Sequence, residues 1–300
     1  MENELIKLAS THLGKAGDGT IVKPYTTPDK HDKSLLVALP RQLNRKKSNI
    51  KSANTFEGYE VWHAYEMSFL TMTGMPATGV LKICYTAKSD AMVESKSLKL
   101  YLNSFDLEKF ESVQEVEQTI SNDLSSRLGD DVQVTFHPAH KADYLPSTFG
   151  DHFTNVDDRA WEITDYKEDS SLLDKILLRQ EESLWFHTNN LRSNCEITNQ
   201  KDTGNCYIYI KSTKLPTLPG LTKYVISFRD SQHFHENVTE IMYDTLNNLY
   251  EPSELVVANI FNRRGGIDIH SVRGTNTELI ERIVGNYRNT KHLFEKTVQQ

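Results

Sequence analysis

Four short stretches of the chain carry side chains that could do chemistry. They are residues 94–97 (Glu-Ser-Lys-Ser), the surroundings of Cys195, residues 234–236 (Phe-His-Glu) and residues 263–266 (Arg-Arg-Gly-Gly). A lone cysteine is more often a small buried hydrophobic residue than a nucleophile. Cys195, however, lies among Ser, Asn, Glu, Thr and Gln rather than in an apolar run, and Asp202 follows seven residues later. This polar setting argues against a purely structural role for Cys195, so a role as a nucleophile remains an alternative.

Each of the other stretches also has an ordinary structural interpretation. Glu94 and Lys96 near a helix N-terminus are most often a cap and a solvated charge. His235 and Glu236 could be polar residues of a first helical turn, and Arg-Arg-Gly-Gly after a strand is a common basic turn. Taken one at a time, these stretches do not decide the function.

Composition and charge narrow the class of protein. A length of 300 residues suits two domains of average size. The net charge of −7 argues against nucleic acid as a direct partner, because duplex binding normally uses a basic face. Three cysteines, at positions 84, 195 and 206, argue for a reducing compartment. With no apolar run near the roughly 20 residues that span a bilayer and no signal-peptide pattern at residues 1–4, we expect a cytoplasmic protein without a membrane partner.

The hydrophobic pattern predicts two similar sets of elements that would position these stretches. Each set reads strand, helix, helix, strand. In the first half the elements are predicted at residues 79–85, 98–105, 112–129 and 132–136. In the second half they are predicted at residues 206–210, 221–228, 238–249 and 255–261. Ser112 and Glu115 form a capping-box pair, and Gly129 stands where a helix stop belongs.

The two halves also share letters, since residues 98–105 and 221–228 have Leu, Tyr, Ser and Phe at the same offsets. We therefore predict an α+β fold made by tandem duplication, with an antiparallel sheet and a pair of helices in each module. The predicted divisions are a polar lead-in outside the core (1–50), a first module (51–150) and a second module (151–300). The boundary falls in the turn-rich stretch 138–158.

The polar groups of the two halves differ at matching positions. Thr217 stands where the first half has Glu94, and Phe110-Glu111 stands near the position of Phe234-His235-Glu236, without a histidine. This asymmetry predicts one site that draws residues from both halves.

Several motifs together resemble a known family. They are Pro40-Arg41, Leu43-Asn44-Arg45, residues 94–105, Ser193-Asn194-Cys195 with Gln200 and Asp202, Ser227-Phe228-Arg229, Phe234-His235-Glu236 and residues 263–268. In this order they resemble the NADPH-dependent 7-cyano-7-deazaguanine reductases, the nitrile reductases of queuosine biosynthesis. That family shares the tunnelling fold (T-fold) with GTP cyclohydrolase. The resemblance covers nearly the whole chain and points to the long, two-module form.

The resemblance implies a covalent mechanism for reducing a nitrile to an amine. Cys195 matches the family nucleophile, whose thiolate adds to the nitrile carbon to give a thioimide. Asp202 matches the proton donor, so it must keep a proton near neutral pH, through burial or a neighbouring negative charge. His235 is the natural second proton carrier. The reduction takes four electrons and hence two NADPH for each product.

The resemblance also implies how substrate and cofactor are held. A carboxylate such as Glu236 accepts two N–H donors of the deazaguanine edge at once. The other implied substrate-binding residues are Val93, Glu94, Ser95 and His235, and the implied NADPH-binding residues are Ser95, Lys96, Arg264 and Gly265. No Gly-x-Gly-x-x-Gly follows a strand, so the cofactor would not lie on a Rossmann domain. No metal is expected, and the family suggests a homodimer.

The chain departs from the family pattern at two positions, and two alternative functions remain. Lys201 and Thr203 flank Asp202 where the family often has Pro and Trp, which predicts altered loop packing rather than lost activity. A thiol hydrolase is the first alternative, but it would need neither Lys96 nor Arg264. A non-catalytic purine- or pterin-binding relative is the second, and intact Cys195 argues against it.

Overall fold

The computed structural model describes residues 28, 30–53, 55–139, 144–145, 149–196, 199–285, 288 and 293–294. In the first half the elements are β1 (Ala38–Pro40), α1 (Arg41–Lys47), β2 (Glu57–Thr71), β3 (Pro76–Thr86), β4 (Ala91–Val93), α2 (Ser95–Asn103), β5 (Lys109–Phe110), α3 (Val113–Leu128) and β6 (Gln133–Pro138). In the second half they are β7 (Tyr144–Leu145), β8 (Thr154–Asn155), β9 (Ile176–Asn194), β10 (Lys201–Leu215), α4 (Leu218–Ser227), α5 (His235–Tyr250), β11 (Glu254–Phe261), β12 (Ile267–Gly274), α6 (Thr277–Val284) and β13 (Leu293–Phe294). Short 3-10 turns cover Lys33–Leu35, Phe149–His152, Ser170–Leu172 and Phe228–Asp230.

One sheet runs through both halves. Among the described residues its path is β6-β3-β2-β12-β11-β10-β9-β8, with β5 added to β2. The pairs are antiparallel except β2 with β5 and β8 with β9. The halves join where β12 pairs with β2 and places Asp268 opposite His63. The α+β class with antiparallel strands is confirmed, and the strands of the two halves pair into one continuous sheet rather than two; the tandem T-fold modules remain a prediction.

Strand β12 is the reason for this difference. The sequence predicted that residues 255–261 form the closing strand, yet β12 follows after a tight turn. All eight residues of β12 are buried, although Asp268, His270 and Arg273 are among them. A strand that buries charged side chains on a sheet face lacks the apolar alternation on which strand prediction depends.

The four predicted helices are present as α2, α3, α4 and α5, whereas α1 and α6 were not predicted. Ser112 caps α3 by accepting a hydrogen bond from the Glu115 backbone N–H at 3.1 Å, and Gly129 ends the helix with φ of 65°. A left-handed residue at this position favours glycine, which has no Cβ to clash. The capping signals in the sequence therefore fixed both ends of α3 correctly.

Helices α2 and α4 show a matching local contact. Ser104 Oγ donates to the Tyr101 carbonyl at 2.5 Å, and Ser227 Oγ donates to the Tyr224 carbonyl at 2.7 Å. These residues occupy the same offsets in the two aligned stretches, which supports a common origin of the halves. The division into two modules at residues 138–158 remains a prediction, and residues 140–143 and 146–148 lie outside the described part.

Each pair of helices covers its own part of the sheet. Apolar side chains of α2 and α3 form one core with the first-half strands, and Ile267 and Ile269 of β12 join it. Helices α4 and α5 form a second core with the second-half strands. A third cluster includes residues of α6 and of the strands, among them Val272. No helix in the described ranges is both long enough and apolar enough to cross a bilayer.

The stretch before residue 50 is not wholly outside the core. Leu36 is 3% exposed, Leu39 is 1% exposed and Arg41 is 2% exposed. The prediction that this stretch lies outside the core is therefore wrong for α1 and β1. Both pack into the molecule, and β1 pairs with β4. The pattern was missed because the buried face of α1 carries Arg41 and Asn44 rather than apolar residues. Residues 1–27 and 29 lie outside the described part.

Candidate active site

Two predicted site residues lie in the first turn of α5. Phe234 is the N-cap, in extended backbone, and its ring packs against the apolar cluster of Val37, Leu39 and Met92. His235 and Glu236 follow and are 7% and 3% exposed. The His235 ring stacks on Phe261 at 4.1 Å between centroids. The start of α5 is thus positioned by two apolar contacts: Phe234 packs against the cluster before the helix, and the His235 ring packs against Phe261.

Cys195 and Asp202 lie at the hairpin between β9 and β10. The Cys195 backbone N–H donates to the Gln200 carbonyl at 2.7 Å, and the Asn199 N–H donates to the Cys195 carbonyl at 2.9 Å. Asn199 has φ of 55°, a left-handed conformation that asparagine tolerates. Cys195 and Asp202 are each 6% exposed. The polar sequence around Cys195 therefore forms a tight loop that holds a buried thiol.

Asp202 lies between a histidine and an arginine. Its Oδ1 is 2.9 Å from Arg264 Nη1, and its Oδ2 is 3.2 Å from His235 Nε2. Neither nitrogen has an aligned hydrogen bond, although both are buried. Buried polar atoms are normally paired, so this arrangement leaves donors and acceptors available to a ligand.

Arg264 connects three acidic groups of the site. Burial alone would lower the pKa of Arg264, but Asp202 and the Cys195 thiol raise it, with a further contribution from Glu94. Arg264 therefore lies beside both the Cys195 thiol and the Asp202 carboxyl group. Burial by contrast raises the pKa of Cys84 to about 11 and raises that of Cys206 further. Cys84 also lies near two cations, Arg288 and Lys82, so the feature that distinguishes Cys195 from the other two cysteines is its place in the pocket wall.

Glu94 comes from the first half and is the N-cap of α2. Its Oε1 accepts from the Lys96 N–H at 3.0 Å, and its Oε2 accepts from the Ser97 N–H at 2.6 Å. The ordinary capping interpretation is therefore correct, but Glu94 also faces the pocket. Burial raises the pKa of Glu94 despite these two hydrogen bonds. A carboxylate offers about four lone-pair positions, so acceptor capacity remains for a ligand.

Glu236 is the third carboxyl group of the pocket wall, after Asp202 and Glu94. Burial raises its pKa, and the nearby Glu60 carboxylate raises it further. Burial therefore disfavours the ionised form of both Glu94 and Glu236. A ligand that presents N–H donors would compensate this cost.

These side chains meet in one pocket between the halves. The pocket is small, with a cavity volume of about 30 Å³, and it is partly open to solvent. Its wall is formed by Leu39, Trp62, Met92, Val93, Glu94, Ser95, Cys195, Asp202, His233, Phe234, His235, Glu236, Arg264 and Ile269. The structure thus brings together eight predicted site residues from two distant parts of the sequence: Cys195, Asp202, His235, Glu236, Val93, Glu94, Ser95 and Arg264. Their individual roles remain predictions.

Two of the residues predicted to bind cofactor lie outside this wall. Lys96 is exposed at the start of α2, next to Ser95. Gly265 is exposed in the turn between β11 and β12, with φ of 62°, and its carbonyl accepts from Lys99 Nζ at 2.8 Å. An exposed cation and a glycine turn beside the pocket suit a charged extended ligand that reaches out of it.

Sequence reasoning missed part of the wall. Trp62 of β2 is 1% exposed, and its Nε1–H has no hydrogen-bond partner among the described residues. Leu39 lies in the stretch that was predicted to be a lead-in. Neither has a side chain that reacts, so only the fold could show that they enclose the pocket.

A separate group with metal-ligating side chains consists of His63, Asp268 and His270. His63 Nδ1 lies 2.8 Å from Asp268 Oδ1, and His270 Nε2 lies 3.0 Å from the same oxygen. Tyr65 donates to Asp268 Oδ2 at 2.7 Å. These are hydrogen-bond distances, and they explain how the carboxylate is stabilised in the interior. The absence of a metal remains a prediction.

The fold and the pocket together define a class: a mixed α+β protein whose two halves enclose a candidate thiol site with carboxylates from both sides. Comparisons with known proteins agree. The family described as "Nitrile reductase, 7-cyano-7-deazaguanine-reductase N-term" matches residues 27–136, and "QueF-like protein" matches residues 202–279.

Curated relatives carry the comparison further. The NADPH-dependent 7-cyano-7-deazaguanine reductase of Coxiella burnetii (strain RSA 331 / Henzerling II) is 36% identical over 256 residues, which cover 85% of this chain and 90% of that protein. The reductase of strain CbuG_Q212 matches with the same identity and coverage. The chain therefore belongs to the family of NADPH-dependent 7-cyano-7-deazaguanine reductases, a family of oxidoreductases. An apo crystal structure of archaeosine synthase QueF-Like aligns with TM-score 0.29 and 15% identity, over 33% of this chain and 96% of that one.

Proposed function

We propose that this chain reduces the nitrile of 7-cyano-7-deazaguanine to the aminomethyl group of 7-aminomethyl-7-deazaguanine, with NADPH as the reductant. Two NADPH are consumed for each product, and the reaction belongs to the biosynthesis of the tRNA nucleoside queuosine. The observation that carries the proposal is the pocket itself. It combines a buried thiol, a carboxyl group between His235 and Arg264, and the carboxylates Glu94 and Glu236.

The first step forms a covalent bond to Cys195. The thiolate Sγ adds to the electrophilic nitrile carbon, one C–N π bond breaks, and the nitrogen takes up a proton to give a thioimide. Arg264 lies beside the Cys195 thiol, and Asp202, on the same hairpin as Cys195, supplies the proton. The contacts of Asp202 with Arg264 and His235 hold its carboxyl group toward the pocket. Of the two conditions that the sequence suggested for a proton donor, Asp202 meets burial, whereas its charged neighbour is the Arg264 guanidinium rather than a negative group.

The reductive steps need hydride and further protons. The cofactor, when bound, would supply the two hydrides that the reduction of a nitrile to an amine requires. Cys195 leaves as a thiolate between the two reductions, so that the imine can be reduced in turn. His235, whose Nε2 lies in the pocket wall, carries a proton to the nitrogen that becomes the amine. Stacking on Phe261 fixes the orientation of this imidazole.

The cofactor would be held at the mouth of the pocket. Ser95 and Arg264 lie in the wall, while Lys96 and Gly265 lie exposed beside it. Lysine and arginine suit phosphate groups, and the left-handed glycine allows a ligand to approach the backbone. The residues present therefore fit a nucleotide cofactor without a Rossmann motif.

The substrate ring would be recognised by carboxylates from both halves. Glu236 accepts two N–H donors from the amide and amino edge of the deazaguanine, and Glu94 accepts from another side of the ring with Val93 and Ser95 beside it. Charge-assisted hydrogen bonds of this kind are about twice as strong as neutral ones. A site divided between α2 and α5 explains why the halves differ at matching positions.

The remaining parts of the proposal concern the whole protein. The two halves are T-fold modules divided near residues 138–158, and the protein is a cytoplasmic homodimer. Three free cysteines are compatible with a reducing compartment.

Stoichiometry tests the proposed reaction. Purified protein is mixed with limiting 7-cyano-7-deazaguanine and excess NADPH, and the NADPH absorbance and the product mass are followed to completion. The proposal predicts loss of two NADPH per substrate and a product heavier by four hydrogens. Release of ammonia without NADPH loss would contradict it and indicate a hydrolase.

A further inference from the structure

Helix α1 carries three basic side chains that contact three different parts of the molecule. Arg41 Nη1 lies 3.1 Å from Glu60 Oε1 on β2. Arg45 Nη2 lies 2.8 Å from Glu240 Oε1 on α5, one turn after the residues that line the pocket. The helix therefore bridges the first half and the substrate-facing helix of the second half.

The ion pairs of Arg41 and Arg45 belong to a larger buried network. Arg273 Nη2 lies 2.6 Å from Glu60 and 2.9 Å from Glu240, and Arg273 is fully buried. Paired charges in the interior require well-defined geometry, since each ion loses its hydration. Through this network α1 has a fixed position relative to β2, β12 and α5.

The third basic side chain reaches the loop of the candidate nucleophile. Lys47 Nζ lies 2.7 Å from Oε1 of Glu196, the residue directly after Cys195. The Glu196 side chain is 3% exposed, and its Oε2 is buried with no hydrogen-bond partner in the described part of the chain. One residue later, Ser48 Oγ donates to Asn237 Oδ1 at 3.0 Å, next to Glu236. The end of α1 thus contacts both the Cys195 loop and the first turn of α5.

We infer that Lys47 is a positioning residue that holds the Cys195 loop against α1 through Glu196, in register with the substrate carboxylates. The inference rests on the proposed function, because it concerns the attack of Cys195 on a bound nitrile. Without Lys47 the Glu196 carboxylate is buried and unpaired, so it moves toward water and takes Cys195 with it. A displacement of about 1 Å at a reacting atom can slow a reaction on the order of 100-fold.

Lys47 is on the surface side of this contact, which makes it a favourable position for substitution. Its side chain is 31% exposed, so Lys47→Met leaves no cavity in a core. Lys46 precedes it in α1 and is exposed. Lys46→Met therefore removes the same charge from the same helix without changing the contact with Glu196.

The test measures adduct formation separately from substrate binding. Rapid mixing of each variant with 7-cyano-7-deazaguanine, without NADPH, gives the rate of the long-wavelength absorbance of a thioimide. Substrate affinity is measured by calorimetry with Cys195→Ala in the background. We expect Lys47→Met to slow adduct formation at least about tenfold, while substrate affinity stays close to that of the protein with Lys47. Lys47→Arg restores most of the rate, and Lys46→Met leaves it unchanged.

A double-mutant cycle distinguishes positioning from general stability. Glu196→Gln alone slows adduct formation, and Lys47→Met added to it has little further effect, because both act through one contact. The inference is overturned if Lys47→Met forms the adduct at the original rate, if Lys46→Met slows it equally, or if the two effects simply add. Absence of any adduct with the unsubstituted protein overturns the proposed function itself, so the two failures are distinguishable.

Discussion

At the scale of single residues, Glu94 serves both the fold and the pocket. It caps α2 with both carboxylate oxygens and also faces the space where a substrate would lie. Sequence reasoning treated the cap and the ligand as alternatives, but a carboxylate has enough lone pairs for both. Glu236 differs, because it is enclosed in the first turn of α5 with another carboxylate nearby. Burial raises the pKa of both residues, but Glu60 raises that of Glu236 further whereas Arg264 opposes the rise at Glu94, so the pH prediction is made for Glu236.

Substrate affinity should depend on pH through Glu236. Its raised pKa means that it keeps a proton above the ordinary range of a glutamate, to which burial and Glu60 both contribute. N–H donors of the substrate bind the ionised form, so affinity increases as the pH rises through the raised pKa and is lost as the pH falls below it. Calorimetry in the Cys195→Ala background from pH 5 to 8 measures this change.

The matched control for this prediction is Glu236→Gln. This variant cannot ionise at position 236, so its affinity should be lower by roughly 10-fold or more and should vary less with pH. An equal pH dependence in both proteins would show that another group controls binding.

At the scale of elements, the turn between β11 and β12 holds Arg264 and Gly265 beside the pocket. Arg264 N–H donates to the Ile267 carbonyl at 2.9 Å, which closes the turn, and Gly265 and Gly266 both have positive φ. The sequence predicted a basic glycine turn after a strand, but not that it leads into β12. The consequence is that Arg264 points back at Asp202 from a rigid position.

Gly265→Ala should affect both stability and cofactor use. A Cβ at position 265 would have open space, its nearest neighbour being Lys99 Cδ at 3.6 Å, but φ of 62° disfavours alanine. The expected loss in free energy of unfolding is about 1 to 2 kcal/mol, and the KM for NADPH should rise. Urea unfolding and steady-state kinetics measure the two effects.

Gly74 provides the control. It lies in the turn between β2 and β3 with φ of 86°, and a Cβ there would meet nothing within 4 Å. Gly74→Ala should lower stability by a similar amount without changing the KM for NADPH. If both variants raise the KM equally, the turn at Gly265 has no specific role in binding NADPH.

At the scale of the whole molecule, the sequence predicted α2 to α5 and the strands β3, β6, β10 and β11 better than it predicted how the halves join, and it did not predict β2, β9 or β12. Helix α3 has apolar spacing and clear caps, so local rules sufficed for it. The junction depends instead on buried charges, since Arg41, Glu60, Glu240 and Arg273 are all inside. Charged residues are normally predicted at the surface, and only their mutual pairing makes this burial possible. For the same reason, the sequence did not predict α1 or its contact with the Cys195 loop.

The buried network should make stability fall in acid. Burial alone would raise the pKa of Glu240, but Arg273, Arg45 and Arg41 outweigh it and hold the value at about 2. Because the folded pKa is lower than that of an unfolded glutamate, the contribution to stability is full above about pH 4.5 and is lost as the pH falls toward 2. Thermal unfolding measured at a series of pH values between 3 and 7 tests this prediction, because the unfolding temperature should fall toward the acid end.

Substitution of Glu240 tests the same network at neutral pH. Glu240→Gln leaves three arginines with one carboxylate fewer, and the expected loss is about 3 to 5 kcal/mol. Glu251→Gln is the control, because Glu251 is exposed and pairs with Lys214 at the surface. Its stability should stay near the original value, and comparable losses in both variants would contradict the role of burial.

The central claim is that Cys195 forms a covalent adduct with the nitrile substrate. The most direct measurement is the absorbance spectrum and intact mass of the protein after mixing with 7-cyano-7-deazaguanine, without NADPH. We expect a new long-wavelength band and a mass increase of one substrate. Both should be absent in the Cys195→Ala variant and present in the Cys84→Ala variant. If the Cys195→Ala variant still reduced the nitrile with NADPH at an undiminished rate, the covalent mechanism would be contradicted.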